Sequence, residues 1–138
     1  MPFLDRRPQR QRKGRDPVER SFGQLQAAIM GIFWNRDSAT VREVADALAR
    51  RRRPLAHTTV LTVISRLWAR GLLTREREGR GFRYRAARTR EQLLGDLSDE
   101  LIDRLFNDFG DIGVARLTER LEELDRKSLK KLRKRGGE

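Results

Sequence analysis

Apolar residues recur along this chain with periods that separate helices from strands. Leu25, Ala28, Ile29, Ile32 and Phe33 fall at i, i+3, i+4, i+7 and i+8, the stripe of a first helix. Ser21-Phe22-Gly23-Gln24 has the S-x-x-Q form of a capping box, and Asn35-Arg36-Asp37-Ser38 closes the stretch. Thr40-Val41-Arg42-Glu43 has the T-x-x-E form and opens a second helix, with Val41, Val44, Ala45 and Leu48 on one side. Pro54 disfavours helical geometry at the residue before it, so this helix stops near the run Arg50 to Arg53. A third helix runs from about Thr58 to Arg70 and is stopped by Gly71. Leu72 to Glu78 and Phe82 to Ala86 read as two short strands, with Gly79-Arg80-Gly81 as a turn whose glycines permit positive φ.

Beyond Arg90 the pattern is helical again. Leu94, Leu97, Leu101 and Leu105 form one stripe with Ile102 beside it, and Val114, Leu117, Leu121 and Leu124 form a short heptad-like seam. A last short helix carries Leu129 and Leu132. The order helix, helix, helix, strand, strand is that of a winged helix-turn-helix. The expected fold is therefore mainly α with a small β wing, followed by a C-terminal helical region. Three segments follow: residues 1–20 as a disordered basic arm, 21–90 as the winged-helix domain, and 91–138 as a helical dimerisation region.

Charge gives this architecture a direction. The chain carries a net charge of +12, and its distribution is uneven. Residues 1–20 hold 7 basic and 3 acidic side chains, residues 21–90 hold 15 and 5, and residues 91–138 hold 10 and 12. Positive charge concentrated in one module suits a polyanion, because each neutralised phosphate releases counterions. The excess of arginine over lysine, 27 to 5, has a second explanation in genome composition, but that leaves the near-neutral C-terminal third unexplained. The basic arm reads as extra phosphate contact or, slightly in preference, as a solvated tail. No cysteine is present, which excludes disulfides, thiolate metal sites and thiol chemistry. No apolar run is long enough for a membrane span, and no apolar signal segment opens the chain, so a cytoplasmic location is expected.

The third helix carries the sharpest chemistry. At 100° per residue, Val60, Val63, Ile64 and Leu67 gather on one side, while Thr58, Thr62, Ser65 and Arg66 fall opposite, with Thr59 at the edge. Short hydroxyl side chains let a helix axis approach base edges closely. Threonine can bond a base or set its methyl against thymine, and Arg66 can reach guanine or phosphate. Taken alone, an ordinary helix with β-branched surface residues fits as well; the capped helices before it and the basic hairpin after it favour DNA. The hairpin holds Arg75, Arg77, Arg80, Arg83 and Arg85, alternating with Phe82 and Tyr84, so the aromatics should face inward and Arg83 and Arg85 outward. Arg80 at the tip is placed for phosphate or the minor groove.

These stretches resemble the penicillinase-repressor family (BlaI/MecI type). The resemblance rests on Leu25-Gln26-Ala27-Ala28-Ile29-Met30, Thr40-Val41-Arg42-Glu43-Val44, His57-Thr58-Thr59-Val60-Leu61-Thr62-Val63, Arg66-Leu67, Gly71-Leu72-Leu73 and Arg77-Glu78-Gly79-Arg80. It covers roughly residues 22–106, and the C-terminal helices by pattern only. It implies a homodimeric winged-helix repressor on a palindromic operator in double-stranded DNA, controlling antibiotic-resistance or cell-envelope genes, with a regulatory protease that cuts in the C-terminal region. The candidate DNA-contacting set is Arg52, Arg53, His57, Thr58, Thr59, Thr62, Ser65, Arg66, Arg77, Arg80 and Arg83. The candidate dimerisation set is Leu94, Leu97, Leu101, Leu105, Val114, Leu117, Leu121 and Leu124. His57 departs from the tyrosine of many relatives, and Asn107-Asp108-Phe109-Gly110-Asp111 stands at the family's Gly-Gly-Asp-like junction. Arg116-Leu117 replaces the Asn-Phe cleavage pair of the staphylococcal type, which leaves proteolysis or ligand binding open as the means of derepression. The absence of cysteine excludes the copper-sensing mode of other relatives.

An enzyme is the first rival reading. With one histidine and no nucleophile–base pair or phosphate loop, catalysis is not expected, and no cofactor or metal is implied. Asp96, Asp99, Glu100 and Asp103 lie at helical spacing and read as a solvated face. The second rival is a non-specific nucleic-acid-binding or packaging protein. The charge suits it equally, but such a binder has no need of a hydroxyl-lined helix.

Overall fold

A computed structural model describes residues 16–136, so the expected arm at 1–15 lies outside the described residues. The chain divides into two compact units, one ending at Leu94 and one beginning at Gly95.

The first unit begins earlier than the apolar pattern suggests. Helix α1 (Pro17–Phe22) occupies the end of the segment expected to be a disordered arm, and Val18 is fully buried (0% exposed). Asp16 caps it by accepting a hydrogen bond from the Val18 N–H at 2.9 Å, and Pro17 stands in the first turn. Proline is harmless there because the amide it lacks has no partner inside the helix. The expected S-x-x-Q capping box does not form. Ser21 lies inside α1, and Gly23, at φ 93°, separates it from α2 (Gln24–Asn35), which has no side-chain cap. Ile29, Met30, Ile32 and Phe33 are the buried residues of α2.

The T-x-x-E box does form. At the start of α3 (Val41–Arg50), Thr40 Oγ1 accepts from the Glu43 N–H at 3.1 Å, and Glu43 Oε1 accepts from the Thr40 N–H at 2.8 Å. Ala47 joins Val41, Val44 and Leu48 on the buried side in place of the expected Ala45, which is half-buried. The end of α3 is a Schellman turn: the Arg52 N–H reaches the Ala49 carbonyl and the Arg53 N–H the Leu48 carbonyl. Arg52 sits at φ 59°, the one non-glycine at positive φ among the described residues. Helix α4 (His57–Ala69) ends the same way, with Gly71 at φ 80° and the Leu72 N–H bonded to the Leu67 carbonyl.

Three strands form the sheet rather than the expected two. Strands β2 (Leu73–Glu78) and β3 (Gly81–Ala86) pair antiparallel, and the two-residue strand β1 (Ala39–Thr40) adds to the other edge of β3. The register pairs Ala39 and Arg75 with Tyr84, and Thr40 and Glu76 with Arg83. The hairpin loop is two residues, Gly79 and Arg80, since Glu78 pairs with Gly81. Only Gly79 has positive φ, the pattern of a type II′ turn, so the second glycine expected at positive φ is not used that way. Tyr84, only 1% exposed, joins Val60, Ile64 and Leu67 of α4 and Phe33 of α2 in the core.

Helix α5 (Arg90–Gly136) opens on another reciprocal capping box, with Thr89 and Gln92 each accepting the other's backbone N–H at 3.1 Å. In the first unit its Leu93 is buried. In the second unit the path breaks once, at Gly110 (φ 56°, ψ −136°), inside the expected junction Asn107–Asp111. No separate last helix follows. Residues between Leu124 and Leu129 include neither glycine nor proline, so nothing interrupts the helical backbone before Gly136. No helix among the described residues is long and apolar enough to cross a membrane.

Candidate nucleic-acid interface

Helix α4 presents three distinct aspects to its surroundings. Val60, Val63, Ile64 and Leu67 are buried. Opposite them Thr58 and Thr62 are exposed and Ser65 half-exposed, with Thr59 and Arg66 exposed at one edge. The other edge holds His57, Leu61 and Trp68, all exposed. No acidic residue occurs anywhere in α4, and no side chain caps its N-terminus at Ala56. Amides at an open helix start favour an anion. Thr62 Oγ1 donates to the Thr58 carbonyl at 2.9 Å. The hydroxyl proton is thereby committed within the helix, and Thr62 presents an acceptor lone pair and a methyl outward.

The positive φ at Arg52 turns the chain sharply after α3 and leaves Arg50, Arg51, Arg52 and Arg53 exposed just ahead of α4. These cations and the hydroxyl row of α4 therefore belong to consecutive stretches of one compact unit.

The five wing arginines have different fates. The Arg75 guanidinium lies between two rings, 3.6 Å from the Trp68 centroid and 4.0 Å from that of Phe82. Arg85 pairs with Asp37 at 2.8 Å. Arg83, expected among the phosphate contacts, is held by protein instead. Its Nε and Nη2 donate to the two oxygens of Glu78 at 3.0 and 3.1 Å, and its Nη1 donates to Glu43 Oε1 at 3.0 Å and Ser38 Oγ at 3.1 Å. The bonds to Glu78 and Glu43 hold the Arg83 pKa above its ordinary value. Strand alternation points this side chain away from the core correctly, but carboxylates already wait on that face. Arg77 and Arg80 are exposed, and among the described residues neither makes a hydrogen bond or ion pair.

A cleft of about 800 Å³ lies between the wing tip and the starts of α3 and α4. Arg42, His57 and Arg80 line it together with Leu61 and Phe82. Two of these residues escaped the sequence reading. Arg42 is exposed in the first turn of α3; its signal was a lone cation inside the T-x-x-E box, off the apolar stripe. Leu61, 41% exposed, is the apolar residue of the early turns of α4 that lies off the core stripe.

The expected dimerisation residues divide by exposure. Leu97, Leu105 and Leu117 are half-buried in the second unit, whereas Leu101, Val114, Leu121 and Leu124 are exposed. Leu94 is half-buried and closes the first unit. Phe109 and Ile112, beside the break at Gly110, are among the most exposed large apolar side chains at 62% and 71%.

Helices α2, α3 and α4 leading into a β hairpin closed by a two-residue loop, with the exposed face of α4 lined by hydroxyls, define a winged helix-turn-helix protein. The chain belongs to the penicillinase repressor family, whose model matches residues 22–135. It is similar to the proteins named transcriptional regulator BlaI of Mycobacterium tuberculosis strains CDC 1551 / Oshkosh and ATCC 25618 / H37Rv, 41% identical over 77 residues in each. The aligned segment spans 55% of this chain and 55% of those relatives, so the chain matches about half of their length.

Proposed function

We propose that this chain is a homodimeric transcriptional repressor that reads an inverted-repeat operator in double-stranded DNA and acts in the cytoplasm. The observation that carries the reading is the outward face of α4: Thr58, Thr62 and Ser65 with no acidic neighbour on the helix, following exposed Arg52 and Arg53. In this reading α4 enters the major groove, Thr58, Thr59 and Thr62 meet base edges, and Arg66 reaches guanine or phosphate. Arg77 and Arg80 of the wing, with Arg42, take the flanking backbone. Family membership and the relatives' designation as transcriptional regulators support the same conclusion.

The second unit supplies the pairing. Its exposed Leu101, Phe109, Ile112, Leu121 and Leu124 suit burial against a second copy, which sets two half-sites about one helical turn apart. Regulated genes concern antibiotic resistance or the cell envelope, as in the family. Arg116-Leu117 lies within α5, and proteases take their substrates extended, so a regulatory protease acting there requires local unwinding first.

Selection of bound duplexes from a random-sequence library, followed by footprinting on the enriched sequence, tests the proposal. A two-fold symmetric site bound at least about a thousandfold more tightly than mixed sequence is expected. Equal affinity for all duplexes at one stated salt concentration would mean a non-specific binder.

A further inference from the structure

Arg83 is where three parts of the reading head meet. It stands opposite Thr40 across β1 and β3, so the sheet edge and the start of α3 share one backbone ladder at this residue. Its Nη1 bonds the Glu43 oxygen that also closes the capping box on the Thr40 N–H. Its other edge makes a two-point fork on Glu78, the last residue before the wing turn. Arg36 Nη2 approaches the second Glu43 oxygen at 3.6 Å, so Glu43 is held from both sides. The side chain is 28% exposed, and each of its three guanidinium nitrogens donates to a protein acceptor.

A two-residue hairpin loop is a poor anchor for a charge that must meet a particular phosphate. The paired strands twist freely toward their tip unless something beyond the ladder fixes them. Only a planar guanidinium can satisfy Glu78 through two parallel bonds and Glu43 through a third, since an ammonium is a point donor on a flexible stem. We infer that Arg83 is a positioning residue for DNA binding: it fixes the wing tip, and with it Arg80 and Arg77, relative to the start of α3. This rests on the DNA-binding reading of the wing, and it assigns to Arg83 a role that depends on shape rather than on charge.

Shape and charge make opposite predictions. If wing arginines act only by attraction, Glu78→Gln raises net positive charge beside DNA and tightens binding, and Arg83→Lys changes little. If Arg83 positions the tip, both substitutions weaken binding, because each breaks the fork. The experiment compares the full-length parent, Arg83→Lys, Glu78→Gln and Arg80→Ala on the duplex enriched by selection, across a series of potassium chloride concentrations. Arg83→Lys is expected to bind about tenfold more weakly with the parent's salt slope, Glu78→Gln several-fold more weakly, and Arg80→Ala with a shallower slope. A role confined to stability lowers the melting temperature but leaves the affinities of Arg83→Lys and Glu78→Gln at the parent's value, and that result too overturns the inference. Tighter binding by Glu78→Gln together with parent-like binding by Arg83→Lys overturns the inference. Should selection enrich no sequence, the repressor reading fails, and the same comparison on mixed-sequence duplex, with the same expected signs, still decides the role of Arg83.

Discussion

The Arg75 guanidinium stacks on the Trp68 ring at 3.6 Å, joining the last turn of α4 to the third residue of β2. Phe82 closes the other side at 4.0 Å, so one cation is held between two rings from different elements. A partly desolvated cation–π pair contributes about 1 kcal/mol. A double-mutant cycle of Arg75→Ala and Trp68→Ala, measured by urea unfolding, should return a coupling of about that size. A coupling indistinguishable from zero would show the stack to be incidental. The cycle should leave the salt slope of DNA binding at the parent's value, since the Arg75 guanidinium is occupied by the Trp68 and Phe82 rings.

Thr62 and Arg80 separate specificity from affinity. Thr62 offers DNA an acceptor and a methyl, its proton being bonded to the Thr58 carbonyl. Thr62→Ala should lower discrimination between operator and mixed-sequence duplex by about 1 kcal/mol, the lower end for a single base contact. Arg80→Ala should weaken both duplexes alike and flatten the log–log salt dependence by about 0.9 for each subunit of the dimer. Competition binding at several salt concentrations distinguishes the two. The reverse pattern would mean that helix and wing have exchanged roles.

Arg52 holds a left-handed conformation that costs an L-residue about 1–2 kcal/mol. Glycine removes that penalty but loses more entropy on folding, so Arg52→Gly should stabilise the first unit by about 0.5–1 kcal/mol. The same substitution removes an exposed cation ahead of α4, and DNA affinity should fall as stability rises. Thermal unfolding and DNA titration of one variant test both signs; weaker folding would show the turn to need the arginine side chain itself.

Much of this face follows from local pattern, and the part that does not has a physical reason. The Thr40–Glu43 box, the core stripe of α4 and the stop at Gly71 all rest on residues within four positions of each other, where spacing determines contact. The fate of Arg83 does not: alternation sets the face of the strand, but its partner Glu43 lies 40 residues away in sequence. Helix α1 escaped because it buries a single residue, Val18, and because Pro17 reads as a breaker until its place in the first turn is known. Strand β1 is two residues long and has no periodicity to detect.

Acid should loosen the junction of α3 and the wing. The Thr40 N–H, and then Arg83 and Arg36, outweigh desolvation and hold the Glu43 carboxyl below its ordinary pKa of 4.5. A lowered folded-state pKa means stability that is present above 4.5 and lost as pH falls through the folded value. Glu43→Gln keeps an acceptor for the capping box but carries no charge to titrate. The difference in melting temperature between parent and Glu43→Gln should therefore be constant near neutrality and shrink below pH 4.5. A difference that stays constant into strong acid would contradict the pairing.

Gly110 and Gly113 together should govern assembly through the second unit. Gly110 takes φ 56° and ψ −136°, a conformation that side-chain-bearing residues adopt at a cost of about 1–3 kcal/mol. Three residues on, a Cβ on Gly113 would sit 2.9 Å from the Leu105 carbonyl oxygen and 3.1 Å from the Phe109 Cβ, too close for either to remain in place. Gly110→Ala or Gly113→Ala should thus displace the segment that carries Phe109 and Ile112, the exposed apolar side chains expected to meet a second copy. Sedimentation velocity should show dimer dissociation at least tenfold easier, equivalent to about 1.4 kcal/mol. Both tryptophans, Trp34 and Trp68, lie in the first unit, so unchanged tryptophan emission would confirm that the winged helix is intact. Undiminished association in both variants would place the dimer contact elsewhere than beside this break.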